Sequence, residues 1–77
     1  MFIYDRLGAL ILRGSIIAKP TTGTVVVVTK LARHNNKIVV HGIVLESNYC
    51  GDSIGVDCLF GIRSPGFIAD YEVIGFA

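Results

Sequence analysis

The sequence predicts an all-β protein, a small antiparallel barrel or sandwich of five strands. Three observations carry this. Val and Ile number 19 of 77 residues against six Leu, and Gln is absent. Branched side chains fit a pleated surface and lose χ1 freedom in a helix. Turn residues also divide the chain into short segments, as sandwiches and barrels require. Finally, the run "TVVVVTKLARHNNKIVV" sets two apolar stretches on either side of a polar turn.

The elements follow in chain order. Phe2–Tyr4 reads as a short edge piece. Ala9–Lys19 is extended or broken at Gly14, and Pro20 ends it because proline cannot donate to a ladder. "PTTG" supplies the turn into a strand at Thr24–Leu31. "RHNN" is a hairpin loop, since Asn tolerates positive φ. The next strand is Lys37–Glu46, and "SNYCGDSIG" is the longest irregular stretch. Val56–Ile62 follows, with Val56, Cys58, Phe60 and Ile62 inward and Asp57 and Arg63 outward. "RSPG" turns the chain into Phe67–Phe76. That last strand carries Phe67, Ala69, Tyr71 and Val73 on one side.

The spacing of Gly14, Gly23, the valine run and "KIVVHG" resembles the strand–turn–strand pattern of SH3-like barrels, including the KOW-type modules of translation and transcription proteins. The resemblance covers about 30 residues. It implies an SH3-like barrel as the favoured form of the five-stranded fold, and it does not by itself imply a function.

The composition holds more apolar material than one small core needs. Hydrophobic residues make up 52% and charged residues 17%, against a norm of about 25% charged. A chain of this length, read as one domain over residues 1–77, buries only about 60–65% of its unfolded surface. Both faces of the Thr24–Leu31 and Lys37–Glu46 hairpin are apolar. Val25, Val27, Thr29 and Leu31 oppose Val26, Val28 and Lys30; Ile38, Val40 and Val44 oppose Val39, His41 and Ile43. One face packs inward, and the other needs a cover. The N-terminal "LGALIL" could supply part of it, but a second copy is the more economical cover. Val26, Val28, Val39 and Ile43 are therefore the self-association candidates, and register decides which of them face out.

Charge is distributed unevenly. Residues 1–45 carry Arg6, Arg13, Lys19, Lys30, Arg33 and Lys37 against Asp5 alone, a net of +5. Residues 46–77 carry Glu46, Asp52, Asp57, Asp70 and Glu72 against Arg63, a net of −4. Lys30, Arg33, His34 and Lys37 surround one hairpin tip, and Arg13 and Lys19 extend the basic half. Such a patch suits phosphate or an acidic protein surface. The competing reading is a solvated loop that keeps an apolar protein dissolved. No aromatic residue flanks the tip in sequence, so stacking on bases is not expected there.

Other motifs point to ordinary structure. His34, His41, Cys50 and Cys58 have spacings unlike compact zinc sites, so no metal or cofactor is expected. Cys50 and Cys58 are expected as free thiols in a reducing compartment; a disulfide across "CGDSIGVDC" is the alternative. Ser53 in "GDSIG" resembles a hydrolase serine only in its flanking glycines, and a Gly/Asp/Ser turn accounts for it. The longest uncharged stretches, Pro20–Thr29 and Ile38–Leu45, are too short to span a membrane as helices. The first residues make a poor signal peptide, because Asp5 precedes a short apolar run that Arg13 stops. A cytoplasmic location without membrane contact is expected.

These features favour a non-enzymatic binding module, homo-oligomeric, docking on nucleic acid or an acidic protein surface. One alternative is an accessory or structural assembly protein of a virus or phage. Another is a protein that sequesters a small anionic ligand, such as a nucleotide, between subunits.

Overall fold

The computed structural model describes residues 2–35, 37–47, 54–55, 57–63, 66–67 and 70–77. The strands are β1 (Ile3–Tyr4), β2 (Ser15–Lys19), β3 (Thr24–His34), β4 (Lys37–Glu46), β5 (Asp57–Arg63), β6 (Gly66–Phe67) and β7 (Glu72–Phe76). Among the described residues there is no helix, and hence none long and apolar enough to cross a membrane. The main sheet is antiparallel with strand order β5–β4–β3–β2–β7, while β1 and β6 pair in parallel as a separate ribbon. The structure is all-β as expected, but the main sheet is not closed: β5 and β7 are its two edges.

Local chemistry explains the boundaries. Gly14 has φ +92°, and its N–H donates to the Val28 carbonyl at 2.7 Å. The expected Ala9–Lys19 strand therefore breaks there, and only Ser15–Lys19 joins the sheet. After Pro20, the N–H groups of Thr22 and Gly23 both donate to the Lys19 carbonyl, which closes the turn into β3. β3 runs to His34, three residues past Leu31, where the sequence suggests a loop. Asn35 takes a positive φ of 56°, so two residues suffice to connect His34 to Lys37 and the ladder continues to the tip. The expected strand Phe67–Phe76 is divided into β6 and β7, with a turn at Asp70.

One face of the sheet holds the core. Ile17, Val26, Val28, Ile38 and Val40 are each at most 1% exposed, and Val44 lies beside them. Ile3 and Ile11 of the N-terminal arm and Tyr71 complete the same cluster. The "LGALIL" segment thus helps to cover the inner face. Each buried branched side chain contributes about 1.5–3 kcal/mol. The buried polar groups have partners. The Ser15 hydroxyl accepts the Leu12 N–H at 2.8 Å, and the Thr24 hydroxyl meets that of Thr22 at 2.8 Å.

Three register shifts bend the sheet around this core. Leu45 and Glu46 together oppose Val25, Thr29 and Lys30 oppose His41, and Ile74 and Gly75 oppose Ile16. In each bulge the paired residues belong to the outer face, as the inward positions of Val26, Val28 and Ile17 beside them show. An extra residue on one face lengthens that face and bends the strand away from it.

Candidate basic interface

The structure gathers part of the basic half at one end of the sheet. β2 pairs with β3 only from Thr24 to Val27. Past Val28, β3 and β4 continue as a hairpin flanked by β5 alone. Lys30, Arg33 and Lys37 lie on this extension, and all three are exposed. Their alternation follows from register. Lys30 pairs with His41 and Lys37 with His34 on the outer face, whereas Arg33 pairs with the core residue Ile38 and so leaves from the opposite side. The cations consequently surround the tip.

Arg63, read from the sequence as an outward residue but not grouped with the basic patch, occupies the register position opposite Lys37. Its signal in the sequence is its place just before "SPG", where β5 must turn at the level of the β3–β4 tip. Arg13 is exposed in the turn before Gly14, whose N–H donates to the Val28 carbonyl. Lys19 does not join the cluster. It pairs with Thr24 at the other end of β3, nine positions from Arg33, which is about 30 Å of strand. Of His34 the backbone register is described. Among the described residues, Lys30, Arg33 and Lys37 make no ion pair; the one salt bridge there joins Arg6 to Glu72 at 3.8 Å.

The structure also divides the self-association candidates. Val26 and Val28 are 0% and 1% exposed in the chain's own core and cannot meet a second copy. Val39 and Ile43 are half-buried on the outer face. The physical reason is that Ile3, Ile11 and Tyr71 pack on the face that Val26 and Val28 share with Val40 and Val44.

A second constellation is legible only in three dimensions. Asp5 is 2% exposed. Its Oδ1 accepts the N–H groups of Leu7 and Ala9 at 2.9 and 2.7 Å, and its Oδ2 accepts that of Val73 at 2.8 Å. Burial by itself raises its pKa, but the backbone N–H bonds outweigh burial and hold the carboxyl below its ordinary value. A shallow depression of about 340 Å³ lined by Tyr4, Asp5, Arg6 and Gly8 adjoins it. The carboxylate is committed to these backbone groups, so it acts as a clamp joining the N-terminal arm to β7. The signal available in sequence is the run Asp-Arg-Leu-Gly, in which Asp bonds its own backbone two residues on.

His41 is half-buried at mid-strand, between Lys30 of β3 and Leu59 of β5 in register. Cys58 pairs with Gly42 in register, while Cys50 and Ser53 lie outside the described residues. No group of three His, Cys, Asp or Glu residues among those described could hold a metal ion. Compared with protein-family models, curated proteins and solved structures, the chain matches none.

Proposed function

We propose that this chain is a non-enzymatic binding module whose β3–β4 hairpin end docks on an anionic macromolecule. The observation that carries the reading is the tip itself. Lys30, Arg33 and Lys37 reach solvent on one hairpin extension, unpaired with any described acid, and the register adds Arg63 opposite Lys37. Cations left without partners keep their charge available for phosphate or carboxylate, and their spread around the tip suits a groove or an extended backbone rather than one small anion. The strand order supports the SH3-like form. Four strands form a meander, and the last strand returns beside the first, which is the connectivity that a small barrel needs.

A titration of the full chain with duplex and single-stranded oligonucleotides at rising salt tests the proposal. The expected result is binding at low salt whose logarithm of affinity falls linearly with the logarithm of salt concentration. Absence of binding to both at low salt removes nucleic acid as the target. Absence of binding to a polyglutamate chain as well removes the proposal.

A further inference from the structure

The two edges of the main sheet are unequal. At the β7 edge the N-terminal arm already occupies the place of a further strand. The Val73 N–H donates to Oδ2 of Asp5 at 2.8 Å, and the Tyr71 carbonyl accepts the Arg6 N–H at 3.0 Å. The bulge at Ile74 and Gly75 interrupts the rest of that edge. β5 differs on each count. It keeps continuous register with β4 from Asp57, opposite Ile43, to Arg63, opposite Lys37. Among the described residues, no strand of the sheet pairs with its far side. Its sequence, Asp-Cys-Leu-Phe-Gly-Ile-Arg, carries charge only at its two ends.

Register shows which backbone groups β5 turns outward. A two-residue connection makes His34 and Lys37 a hydrogen-bonded pair. Alternation along β4 from there directs the backbone groups of Ile38, Val40 and Gly42 toward β5, where Ile62, Phe60 and Cys58 are their partners. The N–H and C=O groups of Asp57, Leu59, Gly61 and Arg63 therefore point away from β4. These positions are symmetric about Phe60.

We infer that β5 pairs antiparallel with β5 of a second copy of the chain, about a twofold axis that passes beside Phe60, perpendicular to the sheet. Two observations select that occupant. The first is the match of backbone groups. This axis sets Asp57 against Arg63 of the second copy and Leu59 against its Gly61, so every outward group meets an outward group. A shift of one residue sets outward groups against inward ones, and a shift of two leaves an end unpaired. The second observation is charge. The same register brings the acidic end of each strand to the basic end of the other. Lys37 and Arg63 share one row of the sheet, and Asp57 of the second copy extends that row with the opposite charge next to Arg63. The contact is isologous and joins the two sheets into one, with main-chain hydrogen bonds as its chief attraction. Lys30, Arg33 and Lys37 stay outside the new ladder, and the inference does not depend on what the hairpin tip binds.

Sedimentation equilibrium of the full chain, with amide hydrogen exchange at low and high concentration, tests the pairing. A dimer is expected at tens of micromolar, and a clean monomer throughout overturns the inference. In the dimer the amides of Leu59 and Gly61 should gain protection, while those of Phe60 and Ile62, bonded to β4, should exchange slowly at every concentration. Protection of Leu59 and Gly61 that does not change as the dimer forms overturns the inference. Leu59→Pro removes an outward N–H and none of the bonds to β4. It should give a monomer with an unchanged circular dichroism spectrum; a folded variant that still dimerises overturns the pairing. Should Leu59→Pro not fold, the charged ends decide. Asp57→Arg and Arg63→Asp, each alone, should weaken the dimer about tenfold, because the twofold repeats every like-charge contact. Asp57→Arg together with Arg63→Asp should restore it, and a double variant no tighter than either single one overturns the proposed axis.

Discussion

The Asp5 carboxylate accepts the backbone N–H of Val73 across 68 positions of sequence, at 2.8 Å. With Leu7 and Ala9 on its other oxygen, one buried side chain fixes both the N-terminal loop and the start of β7. Asp5→Ala leaves three backbone donors without their acceptor. A loss of about 2–4 kcal/mol is expected, since a buried donor without a partner costs about 1–3 kcal/mol and water recovers part of it. Asp5→Asn should cost less, because its carbonyl oxygen still accepts while its NH₂ faces a donor. Urea unfolding of the two variants, with the order Ala below Asn below wild type, is the check. Equal midpoints would show that the clamp is idle.

Acid should weaken the same clamp. The Asp5 pKa is lowered in the folded chain from the ordinary 3.8. A carboxyl depressed on folding stabilises the fold fully above its unfolded value, and that stabilisation disappears as pH falls through the lower folded value. Unfolding free energy should therefore decline below about pH 4. The decline should be shallower in Asp5→Asn, which has no proton to bind. Parallel curves for the two proteins would assign the acid sensitivity to other carboxyls.

Replacing Arg33 and Lys37 with Ser should leave the fold intact, since both side chains are exposed. Binding to nucleic acid should weaken, and its salt dependence should flatten by roughly one unit of slope for each phosphate that the variant no longer neutralises. An unchanged affinity and slope would move the interface away from the hairpin tip. Lys19→Ser, at the far end of β3, should change little.

Gly14 separates two kinds of strain. Its φ is +92°, and an added Cβ would lie 3.1 Å from Cζ of Phe76. Gly14→Ala is expected to cost about 1–2 kcal/mol from the backbone alone. Phe76 is 65% exposed, so its ring can move aside. Adding Phe76→Ala to Gly14→Ala should therefore recover little of the loss in thermal unfolding. Full recovery would show that the ring, not the backbone, sets the cost.

Much of the sheet is legible in the sequence because its signals are local. β4 occupies Lys37–Glu46 as its apolar run predicts, and Asn35 supplies the positive φ that the Asn pair suggests. The end of β3 is hidden because Ala32, Arg33 and His34 have the composition of a loop, while a two-residue turn keeps them in the ladder. The outward face of the hairpin is not legible. Alternation alone permits either choice, and the decision falls to Ile3, Ile11 and Tyr71, which pack against Val26 and Val28 from distant parts of the chain. Lys19 groups with the tip cations only by belonging to the same basic half of the sequence, and strand direction carries it to the other end. Asp5 reads as a lone acid in a basic segment, because its partner Val73 is remote.

The return of β7 to β2 has a kinetic consequence. The β3–β4 hairpin closes over two residues, so its contacts form at small entropic cost, and β2 can add to it through the short turn after Lys19. The β2–β7 ladder, by contrast, joins Ser15 to Phe76 and Ala18 to Glu72, and a loop of that length must close before any of its bonds reward the chain. The transition state for folding should hold the β3–β4 hairpin largely formed, with β7 and the Asp5 clamp still loose. Weakening the clamp should then speed unfolding and leave the refolding rate nearly unchanged. A sheet built in this order exposes the β2 edge until the last strand arrives, and that interval is when the chain is most open to pairing with the wrong strand.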